Sequence, residues 1–132
     1  MKITNAADYA IRAVVYMARN NNKKRFMRSV LSKQCEIPDS FLGKILQFLT
    51  KAEILKSERG KFGGYSLNKS TESITLYDII KAIDGEIFIN ECLHNEEICN
   101  KTKQCSVKEV LNDVNNKFID NLKNYSISNF IS

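Results

Sequence analysis

The strongest constraint on the fold is a pair of helical patterns that meet across a short turn within residues 30–52. The second pattern runs to about the end of this stretch, and its apolar residues recur at helical spacing at Leu42, Ile45, Leu46 and Leu49. Pro38 suits the first turn of that helix, because its missing N–H would have no partner there. The first pattern, Val30 to Cys35, has Ser29 as its expected N-cap. Two helices joined at Glu36-Ile37 predict a helix-turn-helix.

A β-hairpin is predicted directly after these helices. The segments "ILKSE", Ile54 to Glu58, and "YSLN", Tyr65 to Asn68, alternate apolar and polar residues as half-buried strands do. Between them, "RGKFGG" contains three glycines, which allow positive φ angles. A hairpin in this position indicates a wing. The predicted fold class is therefore mostly α with a small β-hairpin wing, a winged helix-turn-helix.

Three more helices are predicted on either side of this unit. One spans about residues 6–19, and one spans 76–83 behind a capping box formed by Thr75 and Asp78. The last helix, over residues 107–122, carries an apolar face that suits pairing with a second copy of the chain.

These elements divide the chain into three predicted regions. Residues 1–85 form a winged helix-turn-helix DNA-binding domain, and residues 86–106 form a cysteine-containing loop. Residues 107–132 form a long C-terminal dimerisation helix and a tail.

Charge is distributed unevenly along the chain. Residues 1–70 contain 14 Lys+Arg and 5 Asp+Glu, giving +9, whereas residues 71–132 contain 6 and 10, giving −4; together they make the net charge of +5. A basic half favours a nucleic-acid partner, because neutralised phosphates supply much of the sequence-independent affinity. An inert basic surface explains the charge equally well by itself. Its combination with a helix-turn-helix and a basic wing favours binding to double-stranded DNA.

The candidate DNA contacts lie on the helix-turn-helix and the wing. The N-terminal residues of a second helix face base edges in the major groove, where Phe41 could touch a thymine methyl group. An arginine at a hairpin tip, such as Arg59, suits the minor groove. Taken singly, Phe41 is equally consistent with a core residue and Lys44 with a solvated charge. The predicted set is Arg28, Ser40, Phe41, Lys44, Arg59 and Lys61.

The segment "ECLHNEEICNKTKQCS", Glu91 to Ser106, contains three of the four cysteines and the single histidine, His94. The sequence shows no signal peptide and no apolar run of about 20 residues, so we expect a cytoplasmic protein without a membrane partner. Thiols stay reduced there, which disfavours disulfides. The spacing fits zinc motifs poorly, and one histidine is weak support for thiol catalysis, so no enzyme activity is expected. An iron–sulfur cluster and three free thiols remain as equal alternatives.

Several segments resemble one family of bacterial winged-helix regulators. "DYAIRAVVYMA", "IPDSFLGKILQFL" and "RGKFGGYSL", followed by "ITLYDIIKAIDG", are similar to the family that includes the iron–sulfur cluster regulator IscR and the nitric-oxide-sensing repressor NsrR. The resemblance implies a homodimer on a partly palindromic operator. IscR-like members carry a glutamate where this chain has Gly43, so their operator preference does not transfer. The implied DNA-contacting positions are Ser40, Phe41, Lys44, Arg59 and Lys61.

The same resemblance implies that the cysteines hold a 2Fe–2S or 4Fe–4S cluster. Six and five residues separate the three cysteines, against five and five in cluster-binding members. IscR-like proteins have a histidine at the position of Lys108, whereas NsrR-like proteins use an aspartate from the partner's first helix, which corresponds here to Asp8. His94 is the second candidate for the fourth ligand. The implied metal ligands are Cys92, Cys99, Cys105 and Asp8 from the partner subunit.

The expected function is therefore a transcription regulator, a repressor, whose cluster senses nitric oxide, redox or iron status. The alternative is a cluster-free winged-helix regulator of the same family that uses cysteine thiols as a redox switch. A small thiol enzyme is the remote alternative.

Overall fold

The computed structural model describes residues 3–60, 63–89 and 106–131. Its elements in chain order are α1 Asn5–Arg19, α2 Arg28–Cys35, α3 Asp39–Lys51, β1 Leu55–Glu58, β2 Gly64–Leu67, α4 Leu76–Asp84, α5 Ser106–Lys123 and a 3₁₀ helix Ile127–Phe130. The predicted class is confirmed: the described elements are helices apart from one antiparallel hairpin, which follows a helix-turn-helix.

Helices α1 and α3 form the centre of the main core. On α1 the buried residues are mostly alanines, together with Val14 and Met17, and α3 packs against them with the predicted leucine and isoleucine face. Small side chains allow the helices to approach closely, while the larger ones fill the space between them. Thr4 caps α1, because its Oγ1 accepts a hydrogen bond from the Ala7 N–H at 3.1 Å.

The predicted cap of α2 is wrong. Helix α2 begins at Arg28 with Met27 as N-cap, so Ser29 lies inside the first turn, and no described side chain caps this helix. The cause is Phe26, the residue before the N-cap. Phe26 exchanges backbone hydrogen bonds with Tyr65 at 2.8 and 2.9 Å, which holds the chain extended until the helix begins.

Strands β1 and β2 pair in the register Leu55↔Leu67 and Lys56↔Ser66. Leu55 is buried whereas Lys56 is exposed, so the hairpin presents one face to the core and one to solvent. At the turn, Gly60 has φ +111°, a conformation that side chains disfavour.

Helix α4 has the predicted capping box. Thr75 Oγ1 accepts from the Asp78 N–H and Asp78 Oδ2 accepts from the Thr75 N–H, each at 3.1 Å. Thr4 Oγ1 donates to Asp84 Oδ1 at 2.7 Å, which links the start of α1 to the end of α4.

The C-terminal tail returns to the core after α5. The Ile127 N–H donates to the Ile74 carbonyl at 2.8 Å, and the Ile127 side chain is completely buried in the main core. Arg19 Nε donates to the Phe130 carbonyl at 3.1 Å, which holds the 3₁₀ helix against α1. Over the described ranges, no helix is both long enough and apolar enough to cross a bilayer.

Candidate nucleic-acid interface

The turn between α2 and α3 fixes the angle of the second helix. Glu36 adopts a left-handed conformation with φ 55°, and Ile37 is buried just after it. Ser32 fastens the turn twice: its Oγ donates to the Ile37 carbonyl at 2.7 Å, and its carbonyl accepts from the Ile37 N–H at 3.1 Å. Helix α3 is therefore held rigidly with one face in the core and the other in solvent.

The solvent face of α3 carries the predicted base-reading residues. Ser40 and Lys44 are exposed and lie one turn apart. Phe41 is 48% exposed, so it is not a core residue, and its ring meets Tyr9 edge-on at 5.9 Å between centroids. Phe48, which is 47% exposed, continues this side of the helix. Its spacing of seven residues from Phe41 is the signal that could have identified it.

Arg28 lies across the N-terminal end of α3. Its Nε donates to Asp39 Oδ1 at 3.0 Å, and its Nη2 donates to Asp39 Oδ2 at 2.8 Å and to the Asp39 carbonyl at 2.9 Å. A Cβ at Gly43 would stand 2.9 Å from the guanidinium, so only glycine leaves this space for Arg28. The side chain remains 45% exposed. Sequence reasoning identified Arg28 but not its dependence on Asp39 and Gly43.

The wing presents Arg59 to solvent at the end of β1. A Cβ at Gly63 would clash with the Glu58 carbonyl oxygen, which explains the glycine at this turn. The other predicted wing residue, Lys61, lies outside the described residues.

Asp8 is placed on the first turn of α1, where it is accessible to another chain. Its side chain is 49% exposed, and Oδ2 accepts from Arg12 Nε at 2.8 Å. This hydrogen bond raises the pKa of Arg12. Cys92, Cys99, Cys105 and His94 lie outside the described residues. Within the described ranges, no three His, Cys, Asp or Glu side chains cluster as a metal site would require.

Cys35 lies at the end of α2, beside the turn of the helix-turn-helix. It is half-buried and packs against the main core as a free thiol. Burial raises the pKa of the Cys35 thiol, which keeps it protonated and poorly nucleophilic.

Comparison with known proteins gives one family and several relatives. The profile of a family described as "Rrf2: Iron-dependent Transcriptional regulator" matches residues 3–132. Protein aau3 from Rhizobium meliloti strain 1021 is 30% identical, covering 99% of this chain and 85% of its own length. The HTH-type transcriptional regulator NsrR of Bacillus licheniformis is 27% identical, over 99% and 92%. The structure of CymR, the global cysteine regulator of B. subtilis, superposes with a TM-score of 0.79 at 20% identity, over 97% and 94%.

Proposed function

The chain belongs to the Rrf2 family of transcriptional regulators, and we propose that it is a homodimeric repressor that senses through an iron–sulfur cluster. Nitric oxide is the first signal we propose, followed by oxidative stress and iron supply. The proposed target is a partly palindromic DNA operator, and the proposed location is the cytoplasm, because the protein would bind its operator there.

The observation that carries the proposal is the solvent face of α3. Ser40, Phe41 and Lys44 point away from the core. Phe41 is an apolar side chain, yet about half of its surface is exposed to solvent, which a binding partner would cover. A helix held in this way by a helix-turn-helix can enter the major groove, where such groups meet base edges. Arg28, Arg59 and Lys61 would add phosphate or groove contacts beside it.

A second copy of the chain explains the outer face of α5. Val107, Val110 and Val114 are 61%, 63% and 46% exposed, and their spacing puts them on one side of the helix. An apolar stripe of this kind on a helix is stable when a partner covers it. Pairing through α5 would also bring the α3 helices of the two chains to the two half-sites of the operator.

The proposed iron–sulfur cluster is supported by the side chains that could bind it. Cys92, Cys99 and Cys105 would supply thiolates, and Asp8 of the partner subunit would supply a carboxylate. These donors fit iron, which clusters bind through thiolates and which also accepts oxygen ligands. The half-exposed Asp8 carboxylate supports this role, because a buried one could not reach another subunit. A bound cluster would supply an iron–thiolate centre that nitric oxide or oxidants modify.

Asn115 connects the proposed sensor segment to the proposed dimer helix. It is buried on α5, its Oδ1 accepts from the Ile89 N–H at 3.0 Å, and its Nδ2 donates to the Ile87 carbonyl at 3.2 Å. The backbone that leads into the cysteine segment is thus fastened to α5. Loss or modification of the cluster would therefore act on α5, and through α5 on the spacing between the α3 helices of the two chains.

Anaerobic purification tests the cofactor. We expect a brown protein with visible thiolate-to-iron absorption and iron bound in a fixed ratio to the chain. A colourless, iron-free protein after cluster reconstitution would rule out the iron–sulfur sensor and favour the cluster-free thiol switch.

Selection of DNA duplexes from a random-sequence pool tests whether the protein binds a specific operator. The wild-type protein should enrich a partly palindromic sequence, and Arg59→Ala should weaken its binding, because the wing loses a charged contact. Lys69→Ala, an exposed charge just beyond β2, serves as the control. Equal DNA affinities of the Arg59 and Lys69 variants would show that Arg59 of the wing does not contact the operator.

A further inference from the structure

Tyr9 on α1 contacts Phe41, an aromatic side chain on the solvent face of α3. The two ring centroids lie 5.9 Å apart and the ring planes meet at 72°, which is the edge-to-face arrangement that aromatic pairs favour. Tyr9 is partly buried and packs against the main core, whereas Phe41 is 48% exposed. The pair therefore connects the core to the surface on which the DNA contacts are predicted.

The position of the Tyr9 ring is fixed by the packing of α1. The next residue, Ala10, is completely buried, and α1 packs against α3 through the main core. The Asp8 N–H donates to the Thr4 carbonyl at 2.9 Å, so the chain is already helical where Tyr9 begins. The Tyr9 hydroxyl has no hydrogen-bond partner among the described residues, so the ring itself makes the contact with Phe41.

This contact restricts the direction in which the Phe41 ring points. A phenylalanine on a helix has two common χ1 rotamers, which place the ring on different parts of the helix surface. An edge-to-face pair stabilises only the rotamer that forms it, which favours that rotamer by about two- to tenfold. Because one side of the Phe41 ring meets Tyr9, its exposed remainder is presented to solvent in a defined direction.

An exposed aromatic ring on α3 suits one particular group in the major groove. The base edges there present hydrogen-bond donors and acceptors, and among the four standard bases only thymine adds an apolar C5 methyl group. Phenylalanine has no polar side-chain atom, so it gains affinity by burying that methyl group rather than by hydrogen bonding. A ring that is already held in one direction loses less conformational entropy on binding than a mobile ring does.

We propose that Tyr9 is a positioning residue that holds Phe41 against the C5 methyl group of one thymine in each operator half-site. This inference rests on the proposed DNA-binding function. It adds the chemical group that is recognised and the side chain that orients Phe41 toward it. Tyr9 acts through Phe41 and needs no contact with a base of its own.

Replacement of thymidine by deoxyuridine, one position at a time in the selected operator, tests the methyl contact. Deoxyuridine keeps the hydrogen-bonding groups of thymidine and lacks only the methyl group. At one position of a half-site, we expect the wild-type affinity to fall about fourfold, as expected for one apolar carbon that is no longer buried. Phe41→Ala should bind the thymidine and deoxyuridine duplexes equally well at that position.

Variants of Tyr9 separate the positioning of Phe41 from general support of the fold. Tyr9→Leu should lower the fourfold ratio of the two affinities toward one, whereas Tyr9→Phe keeps the ring and should retain the ratio. Tyr16→Leu is the matched control, because Tyr16 meets the buried Phe26 at the same 5.9 Å and 72°. This control should keep the wild-type ratio even though it also loses an aromatic contact of α1.

Equal affinity for the two duplexes at every thymine of a bound operator would overturn this inference and leave the proposed function intact. A wild-type ratio in Tyr9→Leu would also overturn it, because Phe41 would then reach the methyl group without Tyr9. Tyr9→Met, which replaces the ring by a flexible chain, should lower the ratio in the same way and serves if Tyr9→Leu does not fold. Failure of the wild-type protein to select any duplex would contradict the proposed function and this inference together.

Discussion

Gly43 allows Arg28 to lie over the N-terminal end of α3, and Asp39 fixes its orientation. Two guanidinium nitrogens, Nε and Nη2, are bonded to Asp39, while Nη1 has no partner among the described residues. In the proposed DNA complex, Arg28 would offer Nη1 to DNA without breaking its contacts with Asp39. This arrangement makes Arg28 a positioned donor rather than a freely rotating charge.

Replacing Gly43 with alanine tests that arrangement. The new Cβ would meet the guanidinium at 2.9 Å and displace it from Asp39. Operator affinity, measured by fluorescence anisotropy, should fall about tenfold, which corresponds to about 1.4 kcal/mol. The free energy of unfolding should stay the same or rise by up to about 1 kcal/mol, because alanine favours helix more than glycine does.

Lys69→Ala is the control, since Lys69 is exposed beyond β2 and outside the predicted DNA contacts. Equal operator affinity of Gly43→Ala and Lys69→Ala would show that the position of Arg28 has no role in DNA binding.

Asp8 gives a second prediction for a single side chain. Asp8→Asn should change the absorption spectrum or lifetime of the reconstituted cluster, because an amide is a poorer iron ligand than a carboxylate. Its exposed ion pair with Arg12 contributes little to folding, so thermal stability should not change measurably. Asp113→Asn removes a similar exposed pair, with Lys117 at 3.0 Å, and should leave the cluster unchanged. An unaltered spectrum in Asp8→Asn would favour His94 as the fourth ligand.

Among the elements, those with local signals could be predicted from the sequence. Helices α1, α3 and α4 carry apolar faces, and the capping box at Thr75 marks the start of α4. The start of α2 could not be predicted, because the distant Phe26–Tyr65 bridge determines it. The same is true of the tail: the burial of Ile127 depends on hydrogen bonds to a segment about fifty residues earlier, and no local pattern indicates such a contact.

The candidate site follows the same division. The exposed positions on α3 could be predicted, because helical periodicity separates them from the core residues. The bond between Arg28 and Asp39 could not, since it joins two helices through side-chain rotamers. The role of Asn115 was also missed, because a single asparagine on an amphipathic helix resembles any polar residue until its partners are known.

Asn115 provides the prediction for α5. Asn115→Ala removes both hydrogen bonds to the segment at Ile87 and Ile89 and leaves the buried Ile87 carbonyl and the partly buried Ile89 N–H without this partner. We expect the free energy of unfolding to fall by about 1–3 kcal/mol in chemical denaturation. Asn116→Ala, the exposed neighbour, should change it by less than about 0.5 kcal/mol. Similar values for the two variants would contradict a structural link between this segment and α5.

For the whole molecule, the proposed mode of DNA binding requires two chains joined along α5. Val110→Lys puts a charge in the centre of the exposed valine face of α5, and burying an unpaired charge in an interface is strongly unfavourable. Analytical ultracentrifugation should therefore find a dimer for the wild type and a shift to monomer for the variant.

Asn116→Lys introduces the same charge six residues further along α5, about 120° around the helix from Val110, where the helix is also exposed. This control should remain a dimer. A Val110→Lys protein that sediments like the control would exclude the valine face as the dimer interface.

We propose that a cluster held by the cysteines controls operator binding. Anisotropy of a labelled operator, titrated anaerobically with cluster-loaded protein before and after exposure to nitric oxide, tests this claim. We predict an affinity at least about tenfold lower after exposure, equivalent to about 1.4 kcal/mol of coupling. Equal affinities in the two states would contradict the claim, because a cluster that does not change DNA binding is not the sensor of this protein.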